Sequence, residues 1–145
     1  MAQATVTITY DDPLTGGEDS AQHSQWMYGT IAVSASPSTY ATGGLSGLAS
    51  GGGIIWAVGD FPKVANLVPK DVYFYSGALA GGTVGGFGYF WNKAANKFQV
   101  QAAFTVTSGT GPQGIEMTNG TAIPANISND VIRFEARFLK AVSGF

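Results

Sequence analysis

Asp130 and Glu135, close together in NGTAIPANISNDVIRFEARF (residues 119–138), have the types and spacing that first suggest acid–base chemistry. A retaining glycosidase holds such a pair about 5 Å apart. Along one strand, five positions put two side chains on opposite faces and roughly 16 Å apart. They are therefore not a catalytic pair with each other. Arg133, Glu135 and Arg137 share one face instead, as a charge ladder facing solvent or a neighbour, and Ile132, Phe134, Ala136 and Phe138 line the other.

The remaining chemical signals are weaker. His23 is the only histidine, and it sits among Ser20, Ser24 and Gln25 with no visible oxyanion architecture. GLSGL (44–48) has the outline of a nucleophile elbow, but Leu48 stands where a glycine is needed. Asp11, Asp12, Glu18 and Asp19 could gather at one loop, yet the alternating spacing of a calcium loop is missing, so a solvated acidic loop is expected. GGTVGGFG lacks the Lys-Ser/Thr of a phosphate loop and reads as a turn. The triplets at Asn119 and Asn126 match the glycosylation pattern, but Asn and Gly here supply turn conformations more simply. No catalytic, cofactor-binding or metal-ligating residue is assigned, no cofactor is expected, and the chain is not expected to be an enzyme.

Aromatic side chains remain as candidates for recognition. Trp26, Trp56 and Trp91, with Tyr28, Tyr73, Tyr75 and Tyr89, are numerous enough for sugar stacking, although most rings in a sheet fill a core or an interface. The candidate contact residues are Trp26, Tyr28, Leu45, Leu48, Ile54, Trp56 and Phe145.

The elements that would position these residues are strands. Val6 and Ile8 alternate with threonines, and Met27, Ile31 and Val33 share a face between Trp26 and Ser34. From Lys97 to Val106, Phe98, Val100, Ala102, Phe104 and Val106 point one way. Period-2 alternation of this length marks half-buried antiparallel strands. KDVYFYSG and GFGYFWN add short aromatic strands, and WNKAANKF (91–98) reads as a hairpin with a polar turn. SAQHSQWMY has room for one turn of helix. The fold class expected is all-β: one domain, residues 1–145, an antiparallel β-sandwich or jelly-roll-like barrel of about seven to nine strands. A glycine-rich arm or loop is expected at about 41–62, with the potential to order only against a neighbour.

Composition bounds the partners. Charged residues are 11% of the 145, against the roughly 25% usual in soluble domains. Such a surface is covered either by neutral Ser, Thr, Asn and Gly or by contact with other subunits. The seven Lys and Arg are scattered and net charge is -2, which argues against nucleic acid. Cysteine is absent, which excludes disulfides and thiolate metal sites. MAQATVTITYDD lacks the pattern of a secretory signal, and no apolar stretch reaches membrane-spanning length, so synthesis in a cytoplasm and no membrane partner are expected.

Three segments carry a resemblance: GTIAVSASPSTYATGG (29–44), GYFWNKAANKFQVQ (88–101) and NGTAIPANISNDVIRFEARF (119–138). In order and pattern they resemble a family of small virion structural proteins of tailed bacteriophages. In that family an early strand runs into Ser-Pro-x-x-Tyr-x-Thr-Gly-Gly, an aromatic hairpin follows, and a Gly-Thr-x-Ile-Pro strand closes the chain. SGLASGGGIIWAVGDFP (46–62) departs from the pattern. The resemblance implies a capsid decoration, or cement, protein: a homo-oligomer, trimer favoured over dimer, bound to the major capsid protein on the outer capsid surface of the virion. The alternative expectation is a tail- or fibre-associated carbohydrate-binding module.

Overall fold

The computed structural model describes residues 2–11, 18–19, 24–35, 37–56, 68–76, 87–102 and 115–139. These residues are mostly β, in two antiparallel sheets. The larger sheet contains β1 (Val6–Tyr10), β3 (Ser24–Val33), β8 (Ile132–Leu139) and β4 (Asp71–Ser76) in the order β1-β3-β8-β4, with β2 (Glu18–Asp19) also pairing with β3. The smaller sheet runs β5 (Phe87–Asn92), β6 (Lys97–Ala102), β7 (Ile115–Glu116). Neither forms a closed barrel among the described residues. No helix among them is long and apolar enough to cross a membrane.

Alternation in β8 dictates its place at the centre of the larger sheet. Ile132, Phe134, Ala136 and Phe138 are all fully buried, and every intervening residue from Arg133 to Arg137 is half-buried on the outward face. Burying a Phe or Ile side chain contributes roughly 1.5–3 kcal/mol, so a strand with one wholly apolar face belongs between two neighbours. Those neighbours are β3, in register Gly29↔Phe134, and β4, in register Phe74↔Phe134. Gly29 is required there. A Cβ would fall 2.1 Å from the Thr9 carbonyl oxygen and 2.9 Å from the Phe134 ring.

The two sheets meet through aromatic rings. Phe74 of β4 meets Phe98 of β6 edge-to-face at 4.9 Å, and Tyr89 of β5 stacks on Phe98 at 5.4 Å. Behind them Trp56 makes T-shaped contacts with Phe134 and Phe138. The hairpin expected at 91–98 is present, with Asn92↔Lys97 closing the turn and Asn96 in the left-handed region at φ 53°. Ser24–Tyr28, where a helical turn had room, belongs to β3: Met27 faces the core while Trp26 and Tyr28 face out, a period of two. Ser20–His23 lie outside the described residues.

Residues 41–56 of the glycine-rich segment are built onto the rest of the chain; 57–62 lie outside the described residues. Leu45 exchanges both backbone hydrogen bonds with Phe98, at 2.7 and 3.0 Å, and Thr5 and Ser46 form a parallel bridge. Leu45, Ile54 and Trp56 enter the core. Positive-φ glycines at 43, 44, 51, 52 and 53 let the segment fold back on itself, and Gly47 donates to the Gly53 carbonyl. Just before β8 comes a single helical turn, α1 (Ala125–Ser128), opened by Pro124 and burying Ile127.

Buried phenols tie these parts together. Tyr40 donates to Glu116 Oε1 at 2.9 Å and accepts the Val100 N–H, while Gly43 N–H donates to the same Glu116 oxygen at 2.6 Å. Tyr89 donates to Asp130 Oδ2 at 2.8 Å, joining the smaller sheet to the approach to β8. Burial pushes the phenols of Tyr10, Tyr40 and Tyr89 well above the usual tyrosine range, and the adjacent carboxylates Glu116 and Asp130 push Tyr40 and Tyr89 further up. A phenol whose pKa is raised by folding stabilises the fold below its unfolded value of about 10 and loses that contribution as pH rises above it. Alkaline titration should therefore show the tyrosinate absorbance of Tyr89, identified as the part missing in Tyr89→Phe, appearing together with loss of the circular dichroism of the fold. Ionisation of Tyr89 well before unfolding would contradict the burial described.

Candidate functional site

The outward face of the larger sheet gathers side chains suited to contact. Strand register sets them in three rows. Trp26, Arg137 and Asp71 form one, Tyr28, Glu135 and Tyr73 the next, and Thr30, Arg133 and Tyr75 the third. Neighbouring strands are about 4.8 Å apart, so Tyr28 and Tyr73 flank Glu135 with their backbones about 10 Å from each other. Tyr73 is 57% exposed and Tyr75 43%.

Ion pairs order this face. Arg137 donates from Nη2 and Nε to Asp71 Oδ2, at 2.6 and 3.0 Å, straight across the β8–β4 pair. Arg133 reaches the other way and pairs with Asp11 at the end of β1. The Asp11 carboxylate holds the Arg133 guanidinium above its ordinary pKa, and the Tyr75 hydroxyl adds a smaller effect in the same direction. About a third of each charged side chain is exposed, so each pair contributes little to stability; its effect is to fix where a long side chain lies. Glu135 has no ion pair or side-chain hydrogen bond among the described residues.

Asp130 and Glu135 are kept apart, although not by alternation along one strand, because only Glu135 lies in β8. Asp130 precedes β8 and accepts from Tyr89, whereas Glu135 stands on the outward face. Asp11 is held by Arg133. Asp12 lies outside the described residues, Glu18 and Asp19 pair with β3 through their backbones, and no group of three His, Asp or Glu residues is placed to hold a metal among the described residues. Ser46 of GLSGL is fully buried in a strand-like bridge, with no helix after it. Asn119 and Gly120 make a turn, Gly120 at φ 82°, and Asn119 Oδ1 accepts the Thr42 N–H. Phe87 and Gly88, from the end of GGTVGGFG, open β5.

The seven candidate contact residues separate. Trp26 and Tyr28 lie on the outward face. Leu48, 55% exposed, lies at the glycine-rich loop, where Ile55, 50% exposed, covers Gly47. Leu45, Ile54 and Trp56 are buried by the chain's own sheets, because residues 41–56 fold onto β6 and β8. Trp56 is sealed on both sides: its ring packs T-shaped against Phe134 and Phe138, and its indole N–H donates to Asn96 Oδ1 at 2.8 Å. Phe145 lies outside the described residues. Tyr73 and Tyr75, named from the sequence for sugar stacking but not among the seven contact candidates, are exposed, as is Ile55, which sequence reading did not single out. The signal for the tyrosines was present, since Val72 and Phe74 alternate with them in DVYFYS. No protein-family model, curated protein or solved structure gives a significant match to this chain.

Proposed function

We propose that this chain is a virion structural protein of a tailed bacteriophage, a capsid decoration protein that binds the outer capsid lattice and reinforces contacts between capsomers. The supporting observation is the outward face of the larger sheet. It presents Trp, Tyr and Arg, the residue types enriched at the energetic centres of protein interfaces, on a strand framework that fixes their spacing. The three segments that resemble phage virion proteins include half of β3 and most of β5, β6 and β8, so on this face the resemblance covers Thr30 and the Arg133, Glu135, Arg137 ladder. In this reading the two sheets are the layers of a jelly-roll-like sandwich meeting at Phe74 and Phe98. Many symmetry-related copies, each adding a modest interface, would oppose internal DNA pressure together.

Imaging intact particles by electron cryomicroscopy tests this directly. The expected result is many copies of the chain on the outer capsid surface, and a higher rupture temperature when the purified chain is added to undecorated capsids. Absence from the particle, or a few copies confined to the tail, would overturn it. The exposure of Tyr73 and Tyr75 supports the second reading, a carbohydrate-binding module, which predicts binding on a glycan array that is lost in Tyr73→Ala.

A further inference from the structure

We infer that Glu135, between Tyr28 and Tyr73, is a socket for a basic side chain, arginine or lysine, projecting from a partner protein. The argument begins with charge. Of the charged groups on this face, Arg133 is matched by Asp11 and Arg137 by Asp71. Those pairs commit the two guanidinium groups, one across β3 to Asp11, whose N–H donates to the Tyr28 carbonyl, and one to Asp71 of β4. Glu135 is left between them in sequence with no counter-ion among the described residues. A half-buried carboxylate without a partner has lost some of its hydration and has gained no interaction that compensates.

The flanking groups select the sign and shape of what would complete it. In strand register Tyr28 and Tyr73 stand directly to either side of Glu135. Trp26 and Tyr75 occupy diagonal positions on the same face. Aromatic faces attract cations, arginine above all, and a carboxylate accepts two parallel N–H bonds from a guanidinium. An anionic ligand would meet Glu135 with like charge. A face-to-face second copy, turned about an axis through Glu135, would set that carboxylate against its own image. A basic side chain from a different protein satisfies both the charge and the rings. If the virion reading holds, the capsid subunit supplies it, although the socket itself is defined without reference to capsids.

The test uses the full chain and N-acetyl-arginine amide as the probe, followed by two-dimensional nuclear magnetic resonance. Weak, saturable shifts are expected at Glu135 and at the rings of Tyr28 and Tyr73. N-acetyl-citrulline amide, of the same shape without the charge, should leave them unmoved. Glu135→Gln should weaken binding by about tenfold or more, the usual worth of a charge-assisted hydrogen bond. Tyr73→Ala, at a position more than half exposed, should keep the fold and also weaken it. Absence of saturable shifts, equal binding of the citrulline probe, or undiminished binding to Glu135→Gln would overturn the inference. So would a neutral oligosaccharide that shifts Tyr28 and Tyr73 equally in the wild type and in Glu135→Gln while the arginine probe does not. Because no capsid enters the experiment, its failure leaves the virion reading standing, and failure of the virion reading leaves the socket.

Discussion

Replacing Phe134 with alanine is expected to destabilise the fold by about 3–5 kcal/mol, the range for removing a fully buried aromatic ring. The ring is completely buried and makes T-shaped contacts with Tyr10, at 5.7 Å, and Trp56, at 5.5 Å. It also lies over Gly29, where the neighbouring strand has no side chain to move into the space. The cavity would be bordered by backbone on that side, so relaxation is restricted and the loss should fall high in the range. Denaturant unfolding should show a lower midpoint with an unchanged slope. Phe134→Leu, which keeps much of the volume, should cost less than half as much. A loss below about 1 kcal/mol for the alanine variant, the scale of an ordinary surface substitution, would show that the ring does not carry this packing.

Asn96 should rank next, although it is a polar residue in a turn. Its Oδ1 accepts from two indoles, Trp56 at 2.8 Å and Trp91 at 3.2 Å, and its Nδ2 donates to the Ile54 carbonyl at 3.1 Å. Its backbone carbonyl accepts the Ile54 N–H at 2.7 Å. One residue therefore fastens the Gly53–Trp56 segment to the β5–β6 turn. Asn96→Ala removes the side-chain bonds, strands a buried indole N–H, and at φ 53° replaces asparagine, which tolerates the left-handed region, with a residue that adopts it less readily. The expected loss is about 2–4 kcal/mol, with a change in the near-ultraviolet circular dichroism of Trp56. Asn96→Gly relieves the backbone strain while losing the same bonds, so it should recover about 1 kcal/mol of the alanine loss. Asn96→Asp keeps an acceptor for the indoles, loses the bond to Ile54 and sets a carboxylate oxygen against the Ile54 carbonyl. If the glycine variant were as stable as the wild type, the asparagine would serve the turn conformation alone.

Among the described residues, strand positions were legible in the sequence where alternation ran for six residues or more; Phe104 and Val106 of the Lys97–Val106 run lie outside them. VIRFEARF and the Trp26–Ser34 run announced their buried faces, and the polar turn in WNKAANKF announced a hairpin. Such elements are local, since each residue's face follows from the period alone. What escaped depends on partners distant in sequence. Trp56 has the composition of a contact residue, and only the return of its segment to Asn96 and Phe138 makes it core. The Tyr40–Glu116 bond, 76 positions apart, has no local signature. Four residues of α1 are too few to show a 3.6 period, and Pro124 offers no side-chain cap to mark its start. The outward face lies between these cases. Alternation gives which side chains face out, but the juxtaposition of Tyr28, Glu135 and Tyr73 requires the order β3-β8-β4, which no single strand encodes.

The strand order has a consequence for synthesis. β8 sits between β3 and β4, and the Asp11–Arg133 pair across the sheet joins positions 122 residues apart. A ribosome releasing the chain from its N-terminus exposes β1, β3 and β4 well before the strand that unites them. The β5–β6 hairpin can close within microseconds of emerging, whereas the larger sheet must wait for its central member. During that wait β3 and β4, with Met27, Ile31, Val72 and Phe74 on their inner faces, lack the central strand that later joins them edge to edge. Folding in the cell is thus set to be late and abrupt, and a nascent chain stalled before Ile132 would be the species most dependent on chaperones.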